Sequence, residues 1–191
     1  MVSSGAIGLG MGKLGLMDRP KDTPGKQACA AVGQCELMYL YDNLFSEYSI
    51  TVAQLLLTKY ILLEDRRKNV ENALERLISQ GVIPVVNEND TVAIDELELE
   101  MGENDSLAAV VATIANADLL IIMSDIDGLY DSDPRQNPDA KMIPVVREIS
   151  EDIHAVAGGA GTKFGTGGMA TKIHAVEIAY ESDIDLSLIH I

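Results

Sequence analysis

The 191-residue chain carries 14 Lys and Arg against 30 Asp and Glu, a formal charge of −16, with 47% hydrophobic and 23% charged residues. That length suits one domain with a sizeable core, and that apolar content excludes disordered, collagen-like and coiled-coil classes. The acid excess argues against nucleic acid and anionic membrane surfaces as partners, since clustered Lys and Arg hold both.

Residues 1–10 form a Gly-rich loop opening toward a helix, with Ser3-Ser4-Gly5-Ala6 at its turn. Thr23 and Pro24 mark the next helix start, Thr23 as N-cap and Pro24 in first position. Ala28, Val32, Cys35, Met38 and Tyr39 then recur at helical spacing and predict its inward face. Residues 50–57 read as a buried strand. A helix follows over 65–80, with Val70, Leu74 and Leu77 inward and Gly81 as its stop. Residues 82–86 form a short apolar strand, which Pro84 marks as irregular or peripheral, with a strand start as the alternative. The polar run 87–90 ends it.

Residues 96–101 alternate strictly, as a half-exposed hairpin strand does. Asn104 and Asp105 precede an Ala- and Val-rich helix over 106–116. Residues 118–124 read as the clearest buried parallel strand, running into a polar turn at 125–130. A short strand at 143–146 and a helix from a Ser150 cap through 156 come next. The Gly-rich segment 158–168 leads into a helix over 169–180, with Ile173, Val176 and Tyr180 on one face. A last strand begins at 183. Strands alternating with helices predict an α/β fold with a mainly parallel sheet covered on both faces. Such sheets bind ligands at the carboxyl ends of their strands.

The charge is uneven: residues 87–139 hold 14 acids and one base, Arg135. A solvated acidic face accounts for most such runs. No run of ~18 apolar residues suggests a membrane span. Cys29 and Cys35 lie six apart on different helix sides, as buried free thiols in a reducing compartment, not a disulfide or a metal pair. His154, His174 and His190 show no zinc spacing.

Two loops suit anions. Small residues at Ser3 to Ala6 leave helix-start N–H groups open, although a plain cap turn explains them equally. In Gly165-Thr166-Gly167-Gly168-Met169-Ala170-Thr171-Lys172, glycines allow close phosphate approach and Lys172 sits one turn into the helix that follows. The segment is not a Walker A loop. Asp125 and Asp127 suit a nucleotide or magnesium, with turn chemistry as the alternative for Asp127-Gly128. These parts fit phosphoryl transfer, which needs amide cradles, magnesium and a few lysines. A carboxylate acceptor is already ionised at neutral pH and needs no general base.

Five motifs carry a family likeness. They are Val2-Ser3-Ser4-Gly5-Ala6-Ile7, Pro84-Val85-Val86-Asn87-Glu88-Asn89-Asp90, Asn104-Asp105 within Gly-Glu-Asn-Asp-Ser-Leu-Ala, Ser124-Asp125-Ile126-Asp127-Gly128-Leu129-Tyr130 with Asp133-Pro134-Arg135, and the Gly165-to-Lys172 loop. In this order they resemble the glutamate 5-kinases of the amino-acid kinase superfamily, over almost the whole chain. The resemblance implies one amino-acid kinase domain over 1–191, built as an incomplete three-layer α/β/α sandwich. It implies ATP- and magnesium-dependent phosphorylation of the γ-carboxylate of L-glutamate, the first step of proline synthesis.

By the same resemblance, Ser4, Asp90 and Asn104 bind glutamate, and Asp105 organises the catalytic lysines. Ser124, Asp125, Thr166, Gly167, Gly168, Met169, Ala170, Thr171 and Lys172 bind the nucleotide. Lys172 also stabilises the transferring phosphoryl group; no residue is assigned as a metal ligand. A cytoplasmic homo-oligomer with proline as feedback ligand is expected. Members of the family carry an N-terminal strand with a Gly-rich turn and a second catalytic Lys. These have no counterpart here, nor do the last strands or the RNA-binding-like domain of some members. The chain is therefore expected to be truncated at both ends. The alternatives are an impaired fragment that keeps its ligand pockets, another kinase of the superfamily, and the kinase half of a bifunctional pyrroline-5-carboxylate synthase.

Overall fold

The computed structural model describes residues 1–92, 104–157 and 168–191. The expected strand over 96–101 and the Gly-rich stretch 158–167, with Thr166 and Gly167, lie outside the described residues. The chain divides into two compact units, Met1–Glu100 and Met101–Ile191.

In the first unit, helix α1 (Ala6–Leu14) packs on α2 (Thr23–Ser46). Asp22, rather than Thr23, caps α2: its Oδ1 accepts the Gly25 N–H at 2.8 Å, and Pro24 lies within the first turn. Aspartate at this position satisfies a helix-start donor at no cost to the neighbouring Thr. The inward face of α2 also differs from the expected one. Cys29, Ala30, Gly33, Gln34 and Leu37 are buried, whereas Ala28, Cys35 and Tyr39 are exposed.

The cause is close backbone approach between the two helices. A Cβ on Gly33 would meet the Ala6 carbonyl oxygen at 1.7 Å, and one on Gly10 would meet the Cys29 carbonyl oxygen at 1.9 Å. Small residues line this contact, so the larger apolar side chains of α2 turn elsewhere. Of the two free thiols, only Cys29 is buried.

Strand β1 (Val52–Leu57) pairs in parallel with β2 (Ile83–Glu88), from Val52 opposite Ile83 to Leu57 opposite Glu88. Between them runs α3 (Glu64–Ser79), which buries Leu74. Gly81, at φ 72°, stops it, with the Val82 N–H returning to the Leu77 carbonyl at 3.0 Å. This is the Schellman pattern that left-handed glycine permits.

Pro84 proves to be interior, not peripheral. Residues 84–87 are all buried, and β2 has neighbours on both sides. The Ile83 and Asn89 N–H groups reach β1 and its flank, at Thr51 (2.9 Å) and Leu57 (2.7 Å). Val86 faces the other way, donating to Met1 at 2.8 Å and accepting from Ser3 at 2.9 Å. Pro84 shares the facing of Val86, one pair before this contact begins. Its carbonyl accepts from the Met1 nitrogen at 2.9 Å.

The second unit is built on α4 (Asn104–Ile114), β3 (Leu119–Ser124), α5 (Glu151–Ala157), α6 (Met169–Tyr180) and β6 (Asp185–His190). A short antiparallel pair, β4 (Leu129–Tyr130) with β5 (Met142–Ile143), lies between β3 and α5. Strands β3 and β6 run parallel, from Leu119 opposite Asp185 to Ser124 opposite His190. Helix α4 buries Leu107, Ala109, Val110, Val111, Ala112 and Ile114. Ala109, Ile122 and Ala175 form one core cluster, and Ala112, Ala179 and Ile184 another.

Strand β3 is parallel as expected but buried on one face only: Ile122 and Ser124 point inward, while Leu119, Ile121 and Met123 are exposed. On α6 the buried residues are Ile173, Ala175 and Ala179, and Tyr180 is exposed. Alanines let α4 and α6 approach closely, which displaces the bulky Tyr180 from the contact. His154 Nε2 lies 3.1 Å from Glu177 Oε1, joining α5 to α6.

Candidate active site

In the first unit the candidate residues gather where β2 ends. The Met1-to-Ser3 stretch runs parallel to β2 with Val2 opposite Val86, so Ser4 and Gly5 emerge at the carboxyl end of that strand. Gly5, at φ 100°, turns the chain into α1, and no side chain caps that helix start. Its first N–H groups therefore have no side-chain cap among the described residues, and the positive end of the helix dipole faces the turn. Ser4 is exposed; Ser3 is held by Tyr41, oxygen to oxygen at 2.8 Å.

Asp90 follows β2 by two residues and is half-buried. Burial pushes its carboxyl above the ordinary carboxylate range, and the Arg19 charge opposes that push. A carboxylate short of solvation is suited to a cation such as a ligand ammonium.

In the second unit two helix starts carry the chemistry. Asn104 and Asp105 are the first two residues of α4, and Lys172 is the fourth of α6. Lys172 Nζ donates to Asp105 Oδ2 at 2.9 Å, with the side chains 13% and 21% exposed. Gly168 takes the N-cap position of α6 without a capping side chain, and Thr171 Oγ1 donates to the Gly168 carbonyl at 2.7 Å. The Met169 and Ala170 N–H groups at this helix start suit phosphate oxygens.

Ser124 and Asp125 sit at the carboxyl end of β3. Ser124 is buried, and its Oγ accepts the Ile126 N–H at 3.3 Å. Asp125 is open to solvent, its side chain 84% exposed, with Arg135 3.8 Å away. Asp127 receives the Tyr130 hydroxyl at 3.0 Å, and Asp133 accepts the Arg135 N–H at 2.9 Å, so both carboxylates serve turns.

No group of three His, Cys, Asp or Glu is placed to hold a metal ion among the described residues. Asp105 is committed to Lys172. The donor set suits magnesium that arrives on nucleotide phosphates rather than in a carboxylate cage.

Sequence reasoning missed Gln34, which forms a buried amide pair with Asn87 of the polar run 87–90, joined at 2.9 Å. The available signal was a polar side chain on the apolar stripe of a long helix.

Two parallel strand pairs and a Lys–Asp pair between two helix starts make an α/β arrangement suited to holding phosphate groups. The chain belongs to the amino acid kinase family, whose model matches residues 1–190. Among its relatives, the glutamate 5-kinase of Clostridium perfringens is 54% identical over 191 residues, covering 98% of this chain and 71% of that protein. The glutamate 5-kinase of Caldanaerobacter subterraneus subsp. tengcongensis is 54% identical over 187 residues, 97% of this chain and 50% of that protein. The chain thus spans half to about seven-tenths of the length of these relatives.

Among solved structures, E. coli aspartokinase III in complex with aspartate and ADP matches with a TM-score of 0.61 at 17% identity, over 96% of this chain and 41% of that one. The T. acidophilum isopentenyl phosphate kinase product complex matches with a TM-score of 0.56 at 18% identity, over 95% of this chain and 69% of that one. These likenesses establish the fold, an amino-acid kinase α/β architecture consistent with an incomplete three-layer sandwich. Among the described residues no helix is long and apolar enough to cross a membrane.

Proposed function

We propose that the protein carrying this chain is a glutamate 5-kinase. It transfers the γ-phosphoryl group of ATP to the γ-carboxylate of L-glutamate, giving L-glutamyl 5-phosphate and ADP in the first step of proline synthesis. The observation that carries this reading is the Lys172–Asp105 pair at the starts of α6 and α4, 2.9 Å apart.

A carboxylate oxygen attacks the γ-phosphorus as the bond to ADP breaks. The acceptor is ionised already, so no base is required, and the barrier is set by charge on the moving phosphoryl group. Lys172 offers that charge an ammonium, and Asp105 holds the long lysine side chain in one place so that little reorganisation is needed. The open N–H groups of α6 take phosphate oxygens, with Gly168 to Lys172, Thr166, Gly167, Ser124 and Asp125 forming the nucleotide site. Magnesium bound with the nucleotide would supply positive charge to its phosphates. Ser4, Asp90 and Asn104 hold glutamate, with Asp90 facing its ammonium.

A reducing cytoplasmic setting agrees with the two free thiols. Self-association belongs to the same reading: Tyr39, Leu40, Leu44 and Tyr48 of α2 and its end are exposed apolar side chains that a second copy would cover. Light scattering on the full-length protein tests this, and added proline tests feedback. The test of the activity is a hydroxamate or ADP-release assay with glutamate, ATP and magnesium. Turnover with glutamate is expected; turnover with aspartate or UMP but not glutamate overturns the reading.

A further inference from the structure

One buried polar group of the first unit is left over by the hydrogen bonding of the fold. The Glu88 backbone N–H donates to Asn87 Oδ1 at 2.9 Å, which sets the orientation of the Asn87 amide. Asn87 Nδ2 must then donate, and it does so to Gln34 Oε1 at 2.9 Å. That bond in turn orients Gln34 and leaves its Nε2, with two N–H groups, as the remaining donor. Nε2 meets no acceptor among the described residues, although Gln34 is only 8% exposed and Asn87 4%. An amide buried with its donors unmade is costly, and the next helical turn of α2 fills its inward position with Leu37. A glutamine kept here needs a reason.

Its surroundings supply one. Gln34 follows Gly33, whose backbone rests against the Ala6 carbonyl in the first turn of α1. Asn87 follows Val86, which pairs with Met1 and Ser3. Both members of the pair are thus chain neighbours of residues that touch the Met1-to-Ala6 stretch, and the start of α1 lacks a capping side chain. Two sets of donors, Gln34 Nε2 and the start of α1, neither given a side-chain acceptor among the described residues, suit an oxygen-rich anionic ligand.

We propose that Gln34 Nε2 is a substrate-binding donor, hydrogen-bonded to a carboxylate oxygen of the acidic amino-acid substrate. The carboxylate it holds is the one that is not phosphorylated, because the reacting carboxylate must keep its attacking oxygen free. Asn87 is the positioning residue that aims this donor by occupying Gln34 Oε1. This inference rests on the glutamate kinase reading above.

The test uses the full-length protein with Gln34→Glu and Gln34→Met. Gln34→Glu keeps the acceptor for Asn87 but replaces the donor with a negative charge; Gln34→Met removes both. A donor role predicts that KM for glutamate rises about tenfold or more in both variants, most in Gln34→Glu, with KM for ATP unchanged. A purely structural role predicts that both variants lose stability with KM for glutamate and KM for ATP moving together or not at all, and that pattern overturns the proposal. If neither variant folds, wild-type protein labelled with 15N at glutamine side chains is titrated with glutamate. Movement of one buried side-chain amide pair supports the proposal, and no movement overturns it. A wild-type enzyme inert toward glutamate would instead overturn the kinase reading, so the two failures are distinguishable.

Discussion

Lys172 and Asp105 stand 67 positions apart in the chain, yet Nζ and Oδ2 meet at 2.9 Å between the first turns of α6 and α4. Both side chains are largely shielded from solvent, so the pair is not an ordinary surface salt bridge of small energetic value. Lys172 sits beside the start of α6, whose Gly168 cap offers no side chain, and negative charge is favoured there. A lysine held there is placed for an anion, with Asp105 fixing its position.

Lys172→Ala is expected to lower kcat by about 100-fold or more while leaving KM for ATP and glutamate within a few fold, the signature of an interaction made mainly in the transition state. Asp105→Asn should lower kcat as well, because Lys172 loses its anchor. Steady-state kinetics with both substrates varied checks this. A loss confined to KM removes Lys172 from the chemical step.

Asp90 gives a pH-dependent expectation. Its carboxyl is raised, first by burial, and a raised carboxyl holds its proton more tightly when folded than when unfolded. Its contribution to stability is therefore fully present below the ordinary carboxylate range and is lost as pH rises through the raised value. At neutral pH the buried carboxylate weighs against the ligand-free fold. Asp90→Asn should raise Tm at about pH 7, change it little below about pH 4, and raise KM for glutamate. Melting curves at the two pH values decide the first part; an unchanged KM removes Asp90 from the substrate site.

Glycines on the two helices of the first unit should respond in opposite ways. A Cβ on Gly12 would meet nothing within 4 Å, so Gly12→Ala should gain about 0.5–1 kcal/mol from helix propensity. A Cβ on Gly33 would meet the Ala6 carbonyl oxygen at 1.7 Å, so Gly33→Ala must push α1 away from α2 and destabilise by several kcal/mol. Chemical denaturation of the two variants compares them directly, and a stable Gly33→Ala protein would contradict the close helix contact.

The cap of α2 offers a smaller effect. Asp22→Ala should cost about 1 kcal/mol, since the Gly25 N–H loses its acceptor, whereas Thr23→Ala should change stability little. If Thr23→Ala proves the more damaging, Asp22 is not the working cap.

The helix and strand order was legible because hydrophobic period is a local property. The run from Leu119 to Ser124, the stop at Gly81 and the helix ending at Tyr180 all stand where the pattern puts them. The five motifs were legible for a similar reason, since each is a short contiguous stretch. The inward face of α2 was not, because Gly10 and Gly33 select it through a backbone contact between two helices. Pro84 left two readings open, a peripheral stretch or a strand start, and only the pairing of β2 selects the second, with Pro84 buried one residue into the strand.

The sequence by itself therefore determined the α/β class, the acidic balance and the identity of the candidate residues, all of which depend on neighbours in the chain. Only the tertiary structure decided which of them meet. It joined Lys172 to Asp105, set Asp90 where burial raises its carboxyl, and left Gln34 Nε2 without an acceptor among the described residues. Hydrogen-bond satisfaction and desolvation depend on what packs against a group, and that partner lies tens of residues away in the chain.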